Sequence, residues 1–172
     1  MRNVFLAALL LAMFLPTVVA AQTAAKTESE WYVNMKYSFS VEYQKKFFLP
    51  QGEKTDGSGQ NFRSRDGKAI VSVYGYDGKE YPSLTSVFNE TLQNLGNEGW
   101  KIAYKSIKGD TFILQGARGS VIFYKKVVYN NKSRQFVNFE AVYDAEKSKF
   151  YESAISSMAG SLKTLHIAGA GR

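Results

Sequence analysis

The sequence predicts an α+β sandwich, in which one antiparallel β-sheet of about six to seven strands carries helices on both faces, an α/β/α arrangement. Three observations carry this expectation. Short runs alternating apolar and polar residues recur along the chain. Two segments carry apolar stripes at helical spacing. The last four strand candidates are joined by turns too short for any but antiparallel neighbours, since a parallel crossover needs a dozen or more residues. Two amphipathic helices must bury their stripes, and the sheet is the one large apolar surface available.

Residues 1–21 read as a signal peptide. Arg2 precedes an unbroken apolar run from Val4 to Leu15, Pro16 breaks it, and small residues follow at Val18 and Ala20 or at Val19 and Ala21. The run is shorter than the roughly 20 apolar residues a bilayer requires. No further stretch of that length follows, so no integral membrane span is expected after cleavage. A periplasmic or secreted location follows. The chain has no cysteine, which excludes disulfides, thiol catalysis, zinc–thiolate sites and anchoring through a lipidated N-terminal cysteine. Residues 22–35 are expected to be a flexible leader, 36–165 a single domain, and 166–172 a disordered glycine-rich tail.

Within the domain, Tyr37, Phe39, Val41 and Tyr43 alternate with Lys36, Ser38, Ser40 and Glu42, the pattern of a half-buried strand. Residues 50–60 lack periodicity and read as a loop. Residues 61–65 and 69–76 flank Asp66-Gly67, a pair that accepts the positive φ angles of a tight hairpin. Ser83 is placed to cap a helix whose stripe is Leu84, Val87, Phe88, Thr91, Leu92 and Leu95, with Gly96 as its left-handed end. Trp100, Ile102 and Tyr104 start a meander continued by residues 111–116, 121–129 and 136–143. Asp144 then caps a last helix that turns Phe150, Tyr151, Ala154, Ile155, Met158, Leu162 and Leu165 inward.

Catalytic constellations are scarce. The single histidine, His166, falls in the predicted tail, where no nucleophile can be held within hydrogen-bond reach of it. No Gly-x-Ser-x-Gly, phosphate loop, His-Glu-x-x-His or Ser-x-x-Lys pattern occurs. Asp56-Gly57, Asp66-Gly67 and Asp77-Gly78 recur at near-equal spacing, and converging loops of this kind could hold calcium. Asp-Gly is also the common way to write a turn, and no cofactor is expected. A glycosidase-like carboxylate pair would need Asp77 or Glu80 to face a second acid across a cleft.

Basic residues are the better clue. Net charge is +7, which favours acidic partners. Lys101 and Lys105 are expected on the outer face of one strand with Lys108 beyond, Lys125 and Lys126 two strands away, and Arg63 and Arg65 on one face of the hairpin. Grouped, they would form a partner-binding patch, with Tyr74, Tyr76, Tyr124 and Tyr129 interleaved as flat contact area. Lysines alternating along a strand are equally a device for protecting an edge from aggregation. Nucleic acid is excluded as a partner by the export signal and the lack of any recognition motif.

Residues 37–43 (YSFSVEY), 61–76 (NFRSRDGKAIVSVYGY), 109–125 (GDTFILQGARGSVIFYK) and 139–162 together resemble the PsbP-like superfamily. It includes photosystem-associated PsbP proteins, Mog-type Ran-binding proteins and many small secreted bacterial proteins. The resemblance covers most of residues 36–165 and is closest to the secreted bacterial members, through the Ser64-Arg65-Asp66-Gly67 hairpin and the Gly116–Tyr124 segment. It implies an antiparallel sheet with helices on both faces and a non-enzymatic role in binding and positioning other proteins, sometimes with metal ions. It transfers neither a partner nor a site residue.

The expectation is therefore an exported, non-enzymatic accessory module that docks an envelope protein or anionic cell-surface polymer through its sheet edge and basic loops. Two alternatives stay open: an immunity-type inhibitor of a toxin or hydrolase, and a carboxylate-dependent hydrolase.

Overall fold

A computed structural model describes residues 28–81 and 83–165. The expected signal peptide (residues 1–21), residues 22–27 of the expected leader, and residues 166–172, including His166, lie outside the described residues. The elements in order are β1 (Ser29–Asn34), β2 (Phe39–Gln44), β3 (Phe48–Glu53), β4 (Gly59–Ser64), β5 (Ala69–Asp77), α1 (Leu84–Asn97), β6 (Lys101–Lys108), β7 (Thr111–Arg118), β8 (Val121–Asn130), β9 (Gln135–Asp144), α2 (Ser148–Ser161) and β10 (Lys163–Thr164). Seven strands make one antiparallel sheet in the order β3-β4-β5-β9-β8-β7-β6, and β1-β2-β10 make a smaller one. Among the described residues no helix is long and apolar enough to cross a membrane.

The meander and the Asp66-Gly67 hairpin form as expected. Gly67 has φ +71°, and the Asp66 carboxylate accepts from Lys68 N at 3.1 Å and Ser64 Oγ at 2.8 Å. The two units are joined by β5 against β9, in register from Ala69 opposite Tyr143 to Asp77 opposite Gln135. Directly opposite residues share a face, so the register sorts the core in two. Val71, Val73, Phe139 and Ala141 point to one side and pack with Phe39 and Val41 of β2 and Tyr151, Ile155 and Met158 of α2. Phe112, Leu114, Val127 and Phe136 point to the other and pack with Leu84 and Val87 of α1. Each such large side chain contributes about 1.5–3 kcal/mol by leaving water.

Several expectations are corrected. The leader is not flexible throughout, because Ser29–Asn34 pairs along β2 from Ser29 opposite Gln44 to Asn34 opposite Phe39. Its polar composition hid a strand anchored on alternate residues. Tyr32 packs edge-on against Phe39 and Phe62 at 5.8 and 6.0 Å, and buried Asn34 donates to Glu53 Oε1 at 2.9 Å. The domain therefore starts before Lys36. The strand read at residues 36–43 lies in the small sheet, and the loop read at 50–60 begins inside β3, where a register shift between Pro50 and Glu53 breaks the period. Gly96 stays helical and Gly99 supplies the left-handed residue, at φ +80°. Asp144 caps a short 3-10 turn ahead of α2, and Phe150 is exposed, packing at 5.2 Å on Phe47.

Candidate functional site

The site begins with the start of α1. Ser83 Oγ accepts from Ser86 N at 3.1 Å and Ser83 N donates to Ser86 Oγ at 3.2 Å, a reciprocal cap. The apolar stripe then lays the helix over β6 and β7. What it leaves open follows from the register. One cross-strand row on the α1 side runs Leu49, Arg63, Ile70, Val142, Phe123, Gly116, Ile102, one residue per strand from β3 to β6. Phe123 is buried, whereas Leu49, Ile70 and Val142 are 38%, 48% and 41% exposed. Arg63 lies among them, also exposed. Half of this face is therefore uncovered.

Where the flank of α1 meets the open half, a cleft of about 260 Å³ forms between Leu95, Trp100, Phe123 and Val142. Its floor is the neighbouring row, in which Lys125 of β8 stands opposite Glu140 of β9. Lys125 Nζ donates to Glu140 Oε1, and Tyr74 OH donates to the same oxygen at 2.9 Å. Burial pushes the Tyr74 hydroxyl well above the usual tyrosine range, and the adjacent Glu140 charge adds to it. Lys54 Nζ lies 4.3 Å from the centre of the Tyr74 ring. On the outer wall, Trp100 meets Phe123 edge-on at 5.0 Å and is covered by the Arg118 guanidinium at 4.6 Å. Arg118 is held there by donating to the Glu98 carbonyl at 2.9 Å.

The basic residues singled out from the sequence do not form one patch. Ala103 is an extra residue in β6, since Ile102 pairs with Gly116 and Tyr104 with the adjacent Gln115. That bulge reverses the alternation. Lys101, opposite Ala117, faces the α2 side, whereas Lys105, opposite Leu114, faces the α1 side. Lys108, opposite Thr111, returns to the α2 side. Lys125 and Lys126 also part: Lys125 enters the cleft floor, and Lys126 Nζ donates to the Ala159 carbonyl of α2 at 2.8 Å, its ammonium pushed down by burial. Arg63 lies on β4, five strands from β6 and so about 24 Å across the sheet. Arg65 is in the turn, its Nε donating to the Lys45 carbonyl at 3.2 Å.

The Asp-Gly loops do not converge either. Asp66 turns the chain at one end of β4, while Asp56 and Asp77 lie at the other end, about 20 Å away along the strand. Their equal spacing reflects strand length. Asp66 is committed to Tyr151 OH, Lys68 N and Ser64 Oγ, which hold its carboxyl down at about 2. Asp77 approaches Lys79 at 4.0 Å. Among the described residues no cluster of metal-ligating side chains occurs.

Sequence reasoning named Lys125 and Tyr74 but missed Glu140, Lys54 and Trp100 as members of one site. The available signal was Glu140 itself, a lone carboxylate inside a strand flanked by apolar residues.

No protein-family model matches the sequence, and no curated protein is similar to it by sequence. By structure, the chain has a PsbP/Mog1-like fold, an α+β architecture of a seven-strand antiparallel sheet, a small three-strand sheet and two helices. The solution structure of cyanobacterial PsbP (CyanoP) from Synechocystis sp. PCC 6803 superposes with a TM-score of 0.61 at 11% identity, covering 86% of this chain and 98% of that one. The Saccharomyces cerevisiae Ran-binding protein Mog1p superposes with a TM-score of 0.57 at 7% identity, covering 81% and 96%. A mutant of protein Mog1 gives 0.57 at 8% identity, covering 80% and 96%.

Proposed function

We propose that this protein is an exported accessory module that acts by docking an acidic protein surface, not by catalysis. The observation that carries this reading is the half-covered sheet face, with Leu49, Ile70 and Val142 exposed in one row, Arg63 between Leu49 and Ile70, and Lys54 farther along the face over Tyr74. Contiguous exposed apolar residues flanked by cations are the make-up of a protein-binding surface. Glu140 is the one acid in the rows described for this half, and Lys125 neutralises it, so the face favours an acidic partner. The run Val4–Leu15 behind Arg2 supports export. One solved protein of the same fold is described as Ran-binding, which supports a binding role for the scaffold.

The face, and not the sheet edge, is the docking surface in this reading. Edge strand β3 carries Pro50 and a register shift, and edge strand β6 carries a bulge and three exposed lysines, all devices that discourage an added strand. Lys101, Lys105 and Lys108 thus serve edge protection.

The test compares three immobilised baits with an envelope extract: the full chain, an Arg63→Glu/Ile70→Glu variant, and a Lys101→Glu/Lys105→Glu variant. The expected result is one dominant acidic protein, released by high salt, lost from the face variant and kept by the edge variant. A partner retained by the folded face variant, or no partner on any bait, overturns the reading.

A further inference from the structure

The cleft beside α1 is walled by Leu95, Trp100, Phe123 and Val142, with the polar Thr91, Asn94 and Glu98 along its helix side, over a polar floor, a mixed lining of the kind found in ligand pockets. The floor sets a donor beside an acceptor. Both described hydrogen bonds to the Glu140 carboxylate fall on Oε1, and among the described residues none reaches Oε2. The Lys125 ammonium has three N–H donors, of which Glu140 takes one. The two side chains are 17% and 35% exposed, so these leftover groups are shielded but reachable from the cleft.

The pair is neutral as a unit. Glu98 also lines the cleft, its Oε2 accepting from Trp100 Nε1 at 3.2 Å. An anionic ligand would meet two carboxylates and a cationic one would crowd the Lys125 ammonium, whereas a neutral group with its own acceptor and donor would satisfy both floor sites at once. A primary carboxamide does this, its carbonyl accepting from the ammonium and its NH2 donating to the carboxylate within one plane. Leu95, Phe123 and Val142 would line its aliphatic stem. At about 260 Å³ the cleft is below the range of roughly 300–1,000 Å³ typical of drug-sized ligands, and suits a side chain.

We propose that the cleft is an anchor pocket for a carboxamide side chain, glutamine or asparagine, presented by the docked partner. This rests on the docking reading above. Val142 belongs both to the open row and to the cleft wall, so a segment lying over Leu49 and Ile70 leads directly into the cleft. The N-acetyl groups of glycans also carry an amide, but a trans secondary one whose N–H and C=O point apart, and the test separates the two sources.

The isotope-labelled full chain is titrated by NMR with N-acetylglutamine methylamide, with the glutamate and norleucine analogues, and with N-acetylglucosamine. Saturable shifts are expected at the Trp100 indole and at the Lys125, Glu140 and Val142 amides, with the glutamine probe binding about tenfold tighter than the other three. The Glu140→Gln variant, which keeps the shape and loses the anionic acceptor, weakens the glutamine probe about tenfold. The Lys125→Met/Glu140→Met variant abolishes its binding. Equal affinity for the norleucine analogue, or glutamine binding unchanged in folded Glu140→Gln protein, overturns the pocket. Tighter binding of N-acetylglucosamine overturns its assignment to a partner side chain. Partner capture that persists when the probe fails to bind removes the anchor alone, and capture lost from the full chain while the probe binds removes the docking reading alone.

Discussion

Replacing Lys125 by methionine tests how dry the cleft floor is. The substitution keeps the aliphatic stem and removes the ammonium that donates to Glu140, leaving Tyr74 OH as a donor at 2.9 Å. Removing one partner of a fully buried pair costs about 3–5 kcal/mol, while an exposed pair contributes about 0–1 kcal/mol. With Lys125 at 17% and Glu140 at 35% exposure, the floor lies between these limits. The remaining tyrosine bond offsets part of the loss, so the expected cost is about 2 kcal/mol. At a urea slope of about 2 kcal/mol/M this lowers the unfolding midpoint by about 1 M. Lys125→Met/Glu140→Met replaces both charges with apolar groups and should recover most of the stability, because no charge is stranded. Urea unfolding at pH 7, followed by tryptophan fluorescence, reads both variants. A midpoint shift below about 0.3 M for Lys125→Met, or a double variant no more stable than the single, would refute a shielded floor.

Three further outcomes are expected. The Asp66 carboxyl is held at about 2, against an ordinary 3.8, first by the Tyr151 hydroxyl and then by Lys68 N. Because the folded value is the lower one, its contribution is full above about pH 4 and is lost as pH falls towards about 2. Asp66→Asn should flatten melting temperature against pH in that window and leave the profile above it parallel to the parent. Ser83→Ala removes the α1 cap and should cost about 1 kcal/mol in thermal unfolding, with greater hydrogen exchange confined to the first turn. Gly75→Ala would set a Cβ 2.3 Å from Tyr37 Cβ, and the overpacking should cost about 1–3 kcal/mol in denaturant unfolding.

Much of the fold was legible because its signals are local. Alternation in residues 36–43 marks a strand whatever it pairs with, and the Ser83 cap with the Leu84–Leu95 stripe marks a helix before any partner is known. The Asp66-Gly67 turn is written in two residues. The site was less legible. Lys101 and Lys105 share a face under strict alternation, and only the extra residue at Ala103 sets them on opposite faces. Nothing in the local sequence marks that bulge, which exists because β6 must stay paired with β7 on both sides of it.

By itself, then, the sequence determined the meander strands, the Asp66-Gly67 hairpin and the two helices, and which way most of their side chains alternate. Tertiary structure alone decided that β5 joins β9, that Ser29–Asn34 becomes a strand on β2, and that Lys125 meets Glu140 beneath Tyr74 while Lys126 turns to α2. The reason is physical. Periodicity records the environment of each residue relative to its neighbours in the chain, whereas β5 and β9 meet from positions far apart along it, Ala69 opposite Tyr143 and Asp77 opposite Gln135. Their register is set by Val71 and Val73 needing Ala141 and Phe139 beside them in one core.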